Sequence, residues 1–147
     1  MREPLKWPGG TRLSASGLVV EIHTDEGIVG VGEAPVPTLP TIRTIIEAEM
    51  SQFLIGQDPL RTEWLVHRME EFSRNWSGIA AYAIAGIEMA LLDIKGKALG
   101  VPVYELLGGR CHETLPCYAT GATTPHDRGE LEGKIAQYLS LGFQAVK

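Results

Sequence analysis

Four histidines, two cysteines and eighteen carboxylates are the side chains of this 147-residue chain that could ligate a metal, carry a proton or attack a substrate. His23, His67, His112 and His126 have no metal-binding spacing such as His-x-x-x-His, and none is assigned as a ligand. Cys111 and Cys117 lie close together without a Cys-x-x-Cys spacing or a second pair of ligands nearby, and read as a reduced cytosolic pair. Glu88 and Asp93 stand five apart, so on a helix they fall away from a shared face and make no metal pair. They read instead as helix-surface or capping groups that touch a neighbouring turn. Glu33, at a strand end, reads as structural.

Composition narrows the partners. The net charge is −5 and the thirteen Lys and Arg residues are scattered, so no basic stripe offers itself to a phosphate backbone and nucleic acid is excluded as a partner. Hydrophobic residues make up 44% and charged residues 21%, the balance of an ordinary globular protein. No apolar run reaches membrane length, and MREPLKWPGG has no apolar core behind its basic residue that would make a signal peptide. The expected location is the cytoplasm.

The elements that must position any site begin with LVVEIHT, Leu18 to Thr24, where alternation sets Leu18, Val20 and Ile22 on one face and Glu21 and His23 on the other. Asp25-Glu26-Gly27 is a turn, and IVGVGEA, Ile28 to Ala34, returns as the second arm of a hairpin. Gly30 and Gly32 leave one face of that arm bare, which suits close approach by another backbone or a packed helix. Three prolines make residues 34 to 40 a stiff loop. Helical spacing then runs from Thr41 to a stop at Gly56. A second helix is predicted with Asp58 as N-cap and Pro59 in its first turn, lined by Leu60, Trp64, Leu65, Met69 and Phe72. The longest helix is predicted over Ser77 to Leu99, with Ala80, Ala81, Ala85 and Gly86 as small residues and Gly100 as its stop. A short helical turn in VPVYELLGG follows. Then LPCYATG, Leu115 to Gly121, predicts a strand, a helix starts near Asp127, and FQAVK begins another strand.

Two stretches carry a family resemblance. AGIEMALLDIKGKALGVPVYELLGG, Ala85 to Gly109, resembles the closing helix and exit turn of the N-terminal domain in the mandelate racemase and muconate lactonizing enzyme branch of the enolase superfamily. TDEGIVGVGEA, Thr24 to Ala34, is similar to that family's opening hairpin. The resemblance extends from about Gly17 to Lys147, and in tone GKALGVPVYELLGG looks most like the sugar-acid dehydratases. It implies an α+β cap domain, a β-hairpin followed by a helical bundle, over residues 1 to 110. Residues 111 to 147 would then be the first β-α-β of an incomplete (β/α)8 barrel. A whole barrel takes roughly 250 residues, so none fits in this chain.

The resemblance also implies chemistry. Family members remove the proton α to a carboxylate with the help of Mg2+ held by acidic residues on later barrel strands, all beyond Lys147. Lys147, closing GFQAVK, would be the first lysine of the family's Lys-x-Lys pair. Two cap loops would complete the pocket for a small carboxylate or sugar acid. One precedes the hairpin, within Leu5 to Ser14, and carries Lys6, Trp7 and Arg12; the other follows GVGEA and carries Val36 and Thr38. The implied parent is a Mg2+-dependent dehydratase, racemase or cycloisomerase, expected as a homo-oligomer, and the isolated chain is expected to be inactive. The alternative is a non-catalytic protein that acts as a binding module or as half of a split enzyme. Members normally start with one more strand, whose absence would leave the Leu18 to Thr24 strand with an unpaired edge.

Overall fold

The computed structural model describes residues 16–34, 38–76, 78–121 and 128–147, together with the backbone of 5–7 and 10–12. The chain divides into two compact units: Ser16–Arg110, and Met1–Ala15 together with Cys111–Lys147.

In the larger unit, strand β3 (Leu18–His23) pairs antiparallel with β4 (Val29–Ala34), in register from Leu18 opposite Ala34 to His23 opposite Val29. The predicted alternation holds. Val20 and Ala34 are buried, whereas Val19, Glu21 and His23 are exposed. The turn is tied by Thr24, whose hydroxyl donates to the Ile28 carbonyl at 3.0 Å and accepts from the Ile28 N–H at 2.9 Å.

Helix α3 (Ile79–Leu99) crosses the buried face of this hairpin and packs most extensively on β4. A Cβ added at Gly32 would land on the Gly86 carbonyl oxygen, and one at Gly30 on the carbonyl oxygen of Ala90. From the other side, a Cβ at Gly86 would stand 3.1 Å from the Cβ of Ala34 and from a methyl of Val20. The bare strand face predicted from Gly30 and Gly32 therefore meets helix backbone. Of the four small residues expected on the contact face, Gly86 and Ala80 are buried, Ala85 is half-buried and Ala81 is exposed; Ala83 and Ala90 complete the stripe. The correction follows from the 3.6-residue period, which puts 83, 86 and 90 on one line and 81 off it. Gly100 ends the helix in the left-handed region, φ 67°, and the Val101 N–H bonds back to the Gly96 carbonyl at 2.9 Å.

One polar clip accompanies this packing. Asp93 on α3 accepts from the Val31 N–H at 2.8 Å and from the Lys97 ammonium at 2.6 Å, and Lys97 also donates to the Val29 carbonyl at 2.7 Å. Two backbone groups on the outer edge of β4 are thus satisfied by side chains one helical turn apart. The Lys97 hydrogen bond holds the Asp93 carboxyl below its ordinary 3.8; partial desolvation opposes this, and the Val31 N–H adds to the lowering.

The predicted helix from Thr41 to Gly56 starts two residues earlier and changes winding. Helix α1 (Leu39–Thr44) passes into a π-helical turn over Ile45–Met50 and a 3₁₀ turn over Ser51–Phe53. The wider π winding brings residues five apart toward one face, so Ile45 and Met50 are buried together. Helix α2 (Thr62–Ser73) begins later than expected. Asp58 is not its N-cap, because its carboxylate closes a local turn by accepting from the Leu60 N–H at 2.9 Å, leaving Arg61 at the cap. Leu65 and Met69 are core, whereas Leu60 and Phe72 are about 40% exposed. A short helix α4 (Val103–Leu106) closes the unit.

In the other unit, residues expected as a loop form a small hairpin, β1 (Leu5–Trp7) with β2 (Gly10–Arg12). In sequence the two strands flank Pro8-Gly9, a dipeptide type that favours turns. Helix α5 (Arg128–Ser140) lies where the sequence predicts a helix. Among the described residues the two flanking segments meet in a parallel bridge between Ala119 and Val146, on either side of α5 in sequence. Parallel strands draw their regularity from neighbours on both sides, and Pro116 has no N–H to give a ladder.

Two outcomes test this packing. Gly32→Ala drives a methyl into helix backbone that has no rotamer to yield, and is expected to cost about 3 kcal/mol in urea unfolding; an unchanged midpoint would mean that α3 can move away. Because the folded pKa of Asp93 is depressed, its contribution is complete above the unfolded value of roughly 3.9 and is lost as pH falls through the lower folded value. Asp93→Asn is expected to cost about 1 kcal/mol at neutral pH, after allowance for solvent screening, and to flatten the acid limb of stability below about pH 4.

Candidate functional site

The candidate residues are distributed over both units. Lys6, Trp7 and Arg12 lie on the strands of the small hairpin, with Lys6 opposite Thr11, Trp7 opposite Gly10 and Arg12 opposite Leu5. Their backbone is described and their side chains are not. Val36 lies outside the described residues.

Thr38 is the best defined of the set. It is exposed, follows the proline-rich stretch after β4 and precedes α1, with φ 65° and ψ 45°; it is the only described residue other than glycine with positive φ. Its carbonyl accepts the N–H groups of Thr41 at 2.9 Å and Ile42 at 3.1 Å, which fixes the first turn of the helix. Ile42 is fully buried and anchors that turn in the core. A β-branched residue in the left-handed region is strained by about 1 kcal/mol or more, and such strain collects where a chain must present a loop in one conformation.

Lys147 is exposed, and its backbone joins the parallel bridge: its N–H donates to the Ala119 carbonyl at 2.8 Å and its carbonyl accepts from Gly121 at 3.1 Å. Helix α5 leans on this segment through Tyr138, whose hydroxyl occupies the place a Cβ on Gly121 would take and whose ring stands edge-on to Phe143 at 6.4 Å.

Among the described residues no three His, Cys, Asp or Glu side chains come together to hold a metal ion, so those residues do not fit Mg2+. His23 sits 3.4 Å from Glu21 and His67 3.5 Å from Glu71, both on the surface. Both cysteines are exposed. Asp93, read from sequence as a capping or surface group, caps a strand edge rather than a turn. One feature had no sequence signal: a groove of about 810 Å³ beside β3, walled by residues from β3, the π and 3₁₀ turns and α3, which only the tertiary fold brings together.

The arrangement has close relatives. Residues 1–108 match the family model for the mandelate racemase / muconate lactonizing enzyme N-terminal domain. The D-galactonate dehydratase of Pectobacterium atrosepticum is 42% identical over 142 residues, covering 92% of this chain and 35% of that protein. Among solved structures, a putative mandelate racemase from Bordetella bronchiseptica RB50 superposes with TM-score 0.90 at 31% identity, over 99% of this chain and 38% of its own. A putative galactarate dehydratase from Agrobacterium radiobacter, bound to Na and L-malate, superposes with TM-score 0.80 at 31% identity, over 88% and 33%. The chain therefore spans about a third of the length of the curated relatives it matches. With its hairpin packed on a helical bundle, the chain belongs to the mandelate racemase / muconate lactonizing enzyme family of the enolase superfamily and carries that family's N-terminal domain.

Proposed function

We propose that this chain is the substrate-enclosing part of a Mg2+-dependent sugar-acid dehydratase, with residues 1–110 as cap and 111–147 as the opening of the catalytic barrel. The observation that carries the reading is the 42% identity to a D-galactonate dehydratase, sustained over 142 residues and so reaching beyond the domain model that ends at residue 108. The L-malate in the Agrobacterium relative supports a carboxylate as the common element of the substrates.

In this reading the cap contributes recognition. The segments carrying Lys6, Trp7 and Arg12, and Val36 and Thr38, contact the sugar acid, and the left-handed Thr38 sets the chain direction at the start of α1. Lys147 sets the electrostatics of a neighbouring base or holds the substrate carboxylate; positive charge beside a lysine favours the neutral amine that can accept a proton. The metal would be held by residues outside those described, and the chain alone would not turn over substrate. A cytoplasmic homo-oligomer completes the proposal.

The test is a chimera. Residues 1–147 joined to the remaining two-thirds of the Pectobacterium enzyme are expected to convert D-galactonate to a 2-keto-3-deoxy acid, to stop in EDTA and to recover with Mg2+, while the 147-residue chain alone stays inactive. A folded chimera that binds Mg2+ but dehydrates no sugar acid would overturn the reading and leave the binding-module alternative. In the same chimera Thr38→Gly is expected to raise thermal stability by up to about 1 kcal/mol through relief of strain, and to raise KM about 3- to 10-fold with kcat nearly unchanged. A KM that does not move would remove Thr38 from the pocket.

A further inference from the structure

We infer that a cleft along α1, walled by Trp76 and Glu49, receives the hydroxylated end of the sugar acid; the inference rests on the dehydratase reading given above. The cleft lies within the larger unit, has a volume of about 440 Å³ and is lined by Pro40, Thr41, Thr44, Ile45, Glu49 and Trp76. Thr41, Ile45 and Glu49 recur at intervals of four along α1 and the π turn, so they follow one side of the winding. Trp76 joins them from the connection between α2 and α3. Continuity with Thr38 is direct, because the Thr41 N–H donates to the Thr38 carbonyl at 2.9 Å.

The lining suits a chain of C–H and O–H groups. Trp76 supplies an apolar ring, half-buried and set edge-on to Phe72 at 5.3 Å, and Phe72 packs in turn on Phe53 at 5.1 Å. Its backbone is fixed as well: the Trp76 N–H donates to the Ser73 carbonyl at 2.9 Å and its carbonyl accepts from Ile79 at 3.3 Å. Thr44 donates its hydroxyl to the Pro40 carbonyl at 3.0 Å, which leaves the lone pairs of its oxygen as acceptors. Glu49 is half-buried, and among the described residues its carboxylate has no hydrogen bond or ion pair. Two oxygens of one carboxylate can accept from two hydroxyls of a ligand.

Charge sets the direction of the ligand. Among the residues that line the cleft Glu49 alone is charged, so the carboxylate of a sugar acid is repelled there and its neutral hydroxyls are accepted. A site built to hydrogen-bond hydroxyls also discriminates against ligands that lack them, because its acceptor is then left unpaired. The cleft thus adds selectivity for the hydroxylated chain to whatever holds the carboxylate elsewhere, and Glu49 is its specificity-determining residue.

The test compares the chimera described above with its Glu49→Gln variant by titration calorimetry in Mg2+, using D-galactonate and L-malate as ligands. Glu49 makes no side-chain hydrogen bond within the described structure, so the circular dichroism spectrum is expected to be preserved. The variant is expected to bind D-galactonate about tenfold more weakly and to bind L-malate, which has no polyol chain, as well as the unaltered chimera or better. Loss of a negative charge alone would favour both anions, so opposite responses of the two ligands identify hydroxyl recognition. Unchanged D-galactonate affinity, or equal weakening of both ligands, would overturn the inference while leaving the dehydratase reading intact if the chimera turns over. A chimera that binds D-galactonate through Glu49 without dehydrating it would overturn that reading and support this site. Absence of any D-galactonate binding would overturn both.

Discussion

The larger unit depends on one close approach, that of the α3 backbone at Gly86 and Ala90 to the β4 backbone at Gly32 and Gly30. Side chains normally keep a helix about 10 Å from a sheet, and here the strand contributes none. The gain is dispersion between closely packed backbone atoms, with Ile87, Leu91 and Ile94 filling the flanks in full burial. The cost is sequence tolerance, since both Cβ positions on the strand are occupied by carbonyl oxygens of the helix. Register follows from the same contact. Sliding β4 by one residue would turn Val29, Val31 and Glu33 onto α3 and expose the glycines, which the helix cannot accommodate.

That rigid pairing explains why the polar clip sits where it does. With β4 held against α3, its outer edge runs beside the helix surface at Asp93 and Lys97, and the two side chains, four residues apart, reach successive outward-facing groups of the strand. The charge pair is half exposed and adds little by Coulomb attraction alone. Its worth lies in leaving Val31 and Val29 without an open edge to offer another strand. The glycines and the clip together make β4 a fixed rod, and the chain that leaves it toward Thr38 departs from a defined point. The left-handed turn at Thr38 is held on its far side by Ile42 in the core.

Much of this was legible in the sequence because it rests on local patterns. The alternation in Leu18 to Thr24, the Gly30 and Gly32 pair, the helical spacing of α3 and its stop at Gly100 each follow from backbone geometry that a few residues specify. What was not legible depends on distant partners. Nothing near Asp93 in sequence says that it will meet Val31, sixty-two residues away, and nothing in Ile45 to Met50 marks a π turn until the core requires both ends buried. Asp58 illustrates competition at short range: a residue with the chemistry of a helix cap closed a turn instead, because Leu60 offered its N–H first. The candidate site was legible only as segments. The positive φ of Thr38 had no sequence signal, since threonine is among the residues least suited to that conformation.

The stretch from Cys111 to Lys147 obeys a different physics. Helix α5 has no buried residue, Leu115, Leu139 and Leu141 are more than half exposed, and the parallel pairing is limited to Ala119 with Val146. A parallel strand is stable when both faces of its sheet are covered, which takes several strands and helices at once. One helix on one bridge supplies neither a second strand neighbour nor a second layer. The apolar surface of α5 amounts to a demand for cover, in contrast to Ser16–Arg110, where α3 and the hairpin satisfy each other. The curated relatives that the chain matches are about three times as long as it is. The larger unit therefore has a core of its own, while among the described residues α5 buries none of its side chains.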